Sequence, residues 1–73
     1  GNVESAIRLY RKALLQDYQQ IGWRMELARA LADTNDTKQA LHEVRVCLRL
    51  RSQYAPAMQL LQELLRRDAS LRN

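Results

Sequence analysis

The imidazole of His42 and the thiol of Cys47 are the side chains best suited to catalysis or to transition-metal binding in this sequence. Helical periodicity places His42 on a polar face with Lys38, Arg45 and Arg49, and no cysteine or carboxylate cluster accompanies it. Metal binding and acid–base catalysis need partner side chains at defined spacing. We therefore interpret His42 as a solvated surface residue.

Cys47 lies in an apolar stripe between Val44 and Leu48. Burial there raises the pKa of a thiol and makes it unreactive. The sequence also has no glycine-rich phosphate loop, no Ser/His/Asp set and no paired carboxylates in a plausible cleft. We therefore predict that the protein is not an enzyme and has neither a metal site nor a cofactor.

The length of 73 residues corresponds to one small domain, which buries only about 60% of its unfolded surface. Hydrophobic residues make up 47% and charged residues 27%, a balance typical of folded proteins rather than disordered ones. The formal charge of +4 makes the surface mildly basic. There is no signal peptide and no apolar run that could span a bilayer, so the compartment is unknown, with the cytoplasm as the default.

Apolar residues recur at three- and four-residue steps almost throughout, which predicts an all-α domain over residues 1–73. We predict helices over about residues 2–18, 21–33, 36–50 and 55–69. The second helix is apolar around most of its circumference apart from Glu26, Arg29 and Asp33, which indicates packing on more than one side. Asn35 is expected to end it, and Asp36 to begin the third helix in a capping-box arrangement with Gln39.

The two halves of the chain come into register when the sequence is shifted by 34 residues. The match keeps the linkers equal in length and aligns small residues with small residues, which indicates an internal repeat. The pairs are Ala6 with Ala40, Ile7 with Leu41, Tyr10 with Val44, Ala13 with Cys47, Leu14 with Leu48, Leu27 with Leu61, and Leu31 with Leu65.

This pattern resembles the tetratricopeptide repeat family. Leu27-Ala28 followed by Leu31 resembles the first helix of that repeat, and Ala40, Val44 and Cys47 resemble the small-large-small triplet of the second. The chain would hold about two repeats' worth of helices beginning mid-repeat, as a piece of a longer protein. The resemblance implies four antiparallel helices in a right-handed stack of hairpins, with a simple four-helix bundle as the alternative. Arg24 departs from the pattern, because it occupies the usual aromatic position.

The resemblance also implies a groove in which extended or helical peptides dock. Its arginines would pair with acidic side chains or with a peptide C-terminal carboxylate. By that resemblance, the candidate groove residues are Met25, Arg29, Gln59, Glu63 and Arg66.

A second candidate surface is a basic ridge on the outer face of the first and third helices. It suits a polyanion, although nucleic acid is the less favoured partner because no exposed aromatic residues are interleaved for base stacking. The ridge residues are Arg8, Arg11, Lys38, Arg45 and Arg49.

The leading hypothesis is a non-catalytic scaffold that binds a protein or peptide partner of unknown identity through the groove. Polyanion binding through the basic ridge is one alternative. A structural spacer or self-association element is another, because Leu9 and Leu15 are expected to mark an uncovered flank of the first helix.

Overall fold

Four α-helices follow one another in the computed structural model of the chain, which describes the backbone of residues 2–72 and the side chains of residues 2–68. The all-α prediction is confirmed. The helices are α1 (Asn2–Gln16), α2 (Ile21–Asp33), α3 (Thr37–Leu50) and α4 (Ala55–Arg72). Helical periodicity predicts Leu71 on the apolar face of the fourth helix, but its side chain lies outside those that the structure describes.

The first helix ends two residues earlier than predicted because Asp17 organises a turn. The backbone N–H of Asp17 still donates to Ala13 O at 3.1 Å, but its carboxylate accepts from the backbone N–H of Gln19 at 3.3 Å and from the side chain of Gln20 at 2.8 Å. Aspartate favours such local hydrogen bonds over helix continuation. Tyr18 therefore belongs to the linker and not to α1.

The turn between α2 and α3 matches the sequence prediction in its main feature. Asn35 has φ 62°, and its N–H donates to Ala32 O while that of Asp36 donates to Leu31 O, the hydrogen-bond pattern of a Schellman motif. Asp36 then caps α3 by accepting from the N–H of Gln39 at 3.3 Å. Only this half of the capping box forms, because the backbone N–H of Asp36 is already used by α2.

The interior position of α2 is confirmed. Over the described residues, α2 packs against α1, α3 and α4, and α3 packs against α2 and α4. The backbone of α1 lies close to α2 alone among these helices, with the Arg11 side chain reaching Glu43 of α3. Ala28, Ala40 and Cys47 are fully buried at these contacts, where small side chains allow helices to approach closely. Leu27 and Leu64 fill the centre, with exposed fractions of 1% and 0%.

The helices form an open row and not a closed bundle. Over the described residues α1 makes no contact with α4, although closing four helices around one core would bring the first and the last together. The molecule is accordingly thin, with extents of 39 × 32 × 14 Å. The handedness of the row and its assignment to a repeat stack stay predictions.

Leu27→Ala tests whether α2 is the centre of the core. Because Leu27 is 1% exposed, we expect the free energy of unfolding to fall by about 3 kcal/mol through lost apolar contacts and a residual cavity. Urea titration followed by circular dichroism measures this. Leu9→Ala, at a side chain 68% exposed, is the matched control and should change stability by less than about 0.5 kcal/mol. Equal losses in both variants would contradict the assigned core.

Candidate binding surfaces

One groove between α2 and α4 brings together four of the five predicted groove residues. Arg29, Gln59, Glu63 and Arg66 line a pocket of about 320 Å³ with Pro56 and Leu60. All four predicted residues are exposed, and the face of α2 that carries Arg29 turns towards α4 at this point.

The prediction for Met25 requires correction. Its side chain is 2% exposed and belongs to the hydrophobic core. Met25 lies one turn before Arg29, but α2 is covered on three sides, so the strip that reaches solvent is narrow. Met25 therefore stabilises the helix that carries the groove and offers no surface to a ligand.

The charged residues of the α2/α4 groove form only weak, solvent-exposed ion pairs. Arg29 lies 3.9 Å from Glu26 with both side chains more than half exposed, and Glu63 lies 3.5 Å from Arg67. Solvent-exposed pairs of this kind contribute about 0.2–1 kcal/mol. Among the side chains of residues 2–68, Arg66 has no ion-pair partner. A ligand carboxylate that contacted Arg29 or Arg66 would therefore break no strong ion pair.

The basic ridge divides into two parts in the structure. Lys38, Arg45 and Arg49 are exposed along α3, as predicted. Arg8 and Arg11 are also exposed, but they stand at the edge of a separate pocket, and Arg11 approaches Glu43 of α3 at 3.9 Å. The use of the ridge by a polyanion stays a prediction.

A buried ion pair joins α2 to α3, and the sequence analysis did not identify it. Arg24 Nη1 donates to Glu43 Oε1 at 2.6 Å, with the two side chains 7% and 5% exposed. Arg24 Nη2 donates to the carbonyl oxygen of Tyr18 at 3.2 Å, and the guanidinium lies 4.5 Å from the centre of the Tyr18 ring. The Nε of Arg24 has no hydrogen-bond partner in the described part of the chain. The arginine thus ties the α1–α2 linker to α3.

A pocket of about 570 Å³ opens beside this ion pair, between α1 and the α2–α3 hairpin. Its floor is apolar and its edge is basic, so it differs in character from the α2/α4 groove. The lining residues are Arg8, Arg11, Lys12, Leu14, Leu15, Tyr18, Arg24, Leu27 and Glu43. We refer to it as the α1 pocket.

The two reactive side chains fall where the sequence analysis expected them. His42 is exposed on α3, and residues 2–68 contain no cluster of three or more histidine, cysteine or acidic side chains that could hold a metal ion. Cys47 is fully buried, and desolvation raises the pKa of its thiol. The absence of catalytic activity stays a prediction.

The flank of α1 that the sequence analysis expected to be uncovered is exposed. Leu9 and Leu15 are 68% and 88% exposed. A separate shallow surface lies between α1 and α2 and includes neither leucine; it is lined by Val3, Ala6 and Tyr10 of α1 and by Glu26, Arg29 and Asp33 of α2. Self-association through this flank stays a prediction.

The chain matches none of the protein-family models, curated proteins or solved structures with which it was compared. Within the described residues, no helix combines the length and the hydropathy that a bilayer crossing requires.

Glu43→Gln tests the strength of the buried ion pair. Removing the carboxylate leaves a buried guanidinium without its counter-charge, so we expect unfolding free energy to fall by about 3 kcal/mol. Replacing both partners, Arg24→Met with Glu43→Leu, should restore stability to within about 1 kcal/mol of the original protein, because neither charge then needs solvation in the core. Urea denaturation measures both variants.

Glu63→Gln provides the control for that comparison. It removes a carboxylate from an ion pair whose side chains are 41% and 49% exposed, so we expect a change below about 1 kcal/mol. A loss at Glu43 no larger than the loss at Glu63 would contradict a buried, mutually dependent pair.

Cys47 should resist modification by a thiol reagent in the folded protein, because it is fully buried and its raised pKa disfavours the reactive thiolate. Labelling followed by mass spectrometry should become complete only in denaturant. Rapid, complete labelling under native conditions would show that the helices around Cys47 open readily.

Proposed function

We propose that this chain is a non-catalytic scaffold module of the tetratricopeptide repeat type, which binds a peptide segment of a partner protein in the α2/α4 groove. The observation that supports the proposal most directly is the convergence of Arg29, Gln59, Glu63 and Arg66 around one groove. The spacing of Gln59, Glu63 and Arg66 places them on one face of α4, and the packing of α2 against α4 adds Arg29 to the same groove.

The open row of helices also supports the repeat-type assignment. Each helix packs mainly on its chain neighbours, and α2 additionally contacts α4. That is the connectivity expected when successive hairpins stack and the first helices of successive repeats adjoin. The right-handed stack is therefore the finer fold that we propose.

The groove chemistry favours a ligand that carries a carboxylate. Arg29 and Arg66 provide planar donors that suit bidentate contacts with a carboxylate, and the Gln59 amide can both donate to and accept from a peptide backbone. The carboxylate of Glu63 repels a second acidic group on the ligand, except where its ion pair with Arg67 offsets that charge. A ligand with one acidic side chain or a free C-terminus, flanked by uncharged residues, fits best.

A peptide-display selection followed by NMR titration tests this proposal. We expect selected peptides to shift the resonances of Arg29, Gln59, Glu63 and Arg66. Arg29→Ala with Arg66→Ala should weaken their binding about tenfold or more, a change of about 1.4 kcal/mol or greater. Lys38→Ala with Arg45→Ala removes the same charge from the basic ridge and should leave the affinity within about twofold.

Two other outcomes would favour a different class of function. Equal weakening by both double variants, together with binding of RNA or DNA that falls steeply with salt, would favour the polyanion alternative. Self-association detected by equilibrium sedimentation, with no selected peptide binding in the groove, would favour a structural element.

A further inference from the structure

We propose that the α1 pocket is a second protein-docking site, and that it accepts an acidic amphipathic helix of a partner through one inserted apolar side chain. This site lies on the other side of α2 from the α2/α4 groove and shares no lining residue with it. The inference therefore goes beyond the function proposed above and does not depend on it.

The edge of the α1 pocket is a regular stripe on α1. Arg8, Arg11 and Leu15 are spaced by three and four residues and so lie on one helix face, and Lys12 adjoins them. Leu15 is 88% exposed, more than any other large hydrophobic residue among the described side chains. A leucine exposed at the end of this row of cations gains apolar contacts only when another apolar surface covers it. A helix lying alongside α1 would cover the whole stripe.

The floor of the pocket provides room for an apolar anchor. Leu14 and Leu27 form it and are nearly fully buried, while Tyr18 at its side is 54% exposed. The volume of about 570 Å³ lies within the range of pockets that hold a compact ligand group. An aliphatic or aromatic side chain of a docked helix can enter this space and cover Leu15 from the same direction.

The charge of the pocket selects an acidic partner. Four cationic side chains, Arg8, Arg11, Lys12 and Arg24, line it with the single carboxylate of Glu43. That carboxylate is already engaged by Arg24 at 2.6 Å and approached by Arg11 at 3.9 Å. The positive surplus at the edge thus remains available to acidic side chains beside the anchor.

The same geometry argues against a nucleic acid as the occupant. Single strands bind basic grooves by stacking successive bases on aromatic side chains, but Tyr18 is the one aromatic residue that lines the pocket and the guanidinium of Arg24 covers one face of its ring. A phosphate backbone also gains nothing from the apolar floor or from covering Leu15. An acidic amphipathic helix, by contrast, would contact both the basic edge and the apolar floor of the α1 pocket.

A display selection tests the proposal directly. The bait is the variant Arg29→Ala with Arg66→Ala, which disables the α2/α4 groove, and the library holds random peptides of about 16 residues, long enough for four helical turns. We expect enriched peptides to combine acidic residues with apolar residues at three- and four-residue spacing. Their NMR footprint should include the methyl groups of Leu14, Leu15 and Leu27.

Two variants then separate charge from apolar contact. Arg8→Gln with Lys12→Gln leaves the contacts of Glu43 intact and should weaken a selected peptide about five- to tenfold, with an effect that shrinks at high salt. Leu15→Gln should weaken it about tenfold at any salt concentration. Lys38→Gln with Arg45→Gln has the same charge change as the first variant and should alter the affinity less than about twofold. All of these side chains are exposed, so the folded state should persist, as circular dichroism can verify.

The results distinguish this site from the α2/α4 groove. Enrichment on the original protein but not on the groove-disabled bait would overturn the docking site and leave the proposed function standing. Peptides bound equally well by Leu15→Gln, or displaced equally by polyglutamate and by single-stranded DNA, would show attraction by charge alone and would also overturn it. Loss of binding with Leu15→Gln and with Arg8→Gln/Lys12→Gln, but not with the ridge control, would establish it.

Discussion

The structure depends on covering one helix on three sides. The sequence of α2 is apolar around most of its circumference, and α1, α3 and α4 all pack against it. Those contacts place fully buried small residues such as Ala28 and Ala40 between helices, so the helices can approach without leaving voids. The remaining strip of α2, which includes Arg29, stays exposed to solvent. The packing of α2 thus determines which parts of its surface the other helices leave uncovered.

The buried ion pair between Arg24 and Glu43 places two charges beside this apolar core. Desolvating Arg24 and Glu43 is unfavourable, and their close contact offsets that loss only with good geometry and further hydrogen bonds. Arg24 obtains one more from the carbonyl oxygen of Tyr18 and stacks on its ring. These contacts join the α1–α2 linker, α2 and α3, and so give the linker a defined position against the row. In other proteins, a buried ion pair often contributes no more net stability than apolar residues of similar volume would.

Local sequence signals predicted the helices and their best-defined turn. Asn35 and Asp36 act through backbone geometry and short-range hydrogen bonds, so their roles can be predicted without knowledge of the tertiary structure. Tyr18 was assigned to α1 because its apolar period fits, whereas the side chain of Asp17 ends the helix before it. The burial of Met25 and the ion pair of Glu43 depend on which helices pack against each face of α2 and α3. Periodicity identifies the faces of a helix but not the helices that pack on them. The one available signal for the ion pair was Arg24 itself, a charge at an expected aromatic position.

The sequential packing of the helices has a consequence for how the chain folds. Helices that contact mainly their chain neighbours bring together residues close in sequence, and such proteins fold quickly because little loop-closure entropy opposes each contact. The α2–α3 hairpin, closed by the turn at Asn35 and Asp36, joins residues that are close in sequence, so we expect it to form early. Each of the two proposed binding surfaces joins this hairpin to one outer helix, so a bound partner would stabilise the packing of that helix.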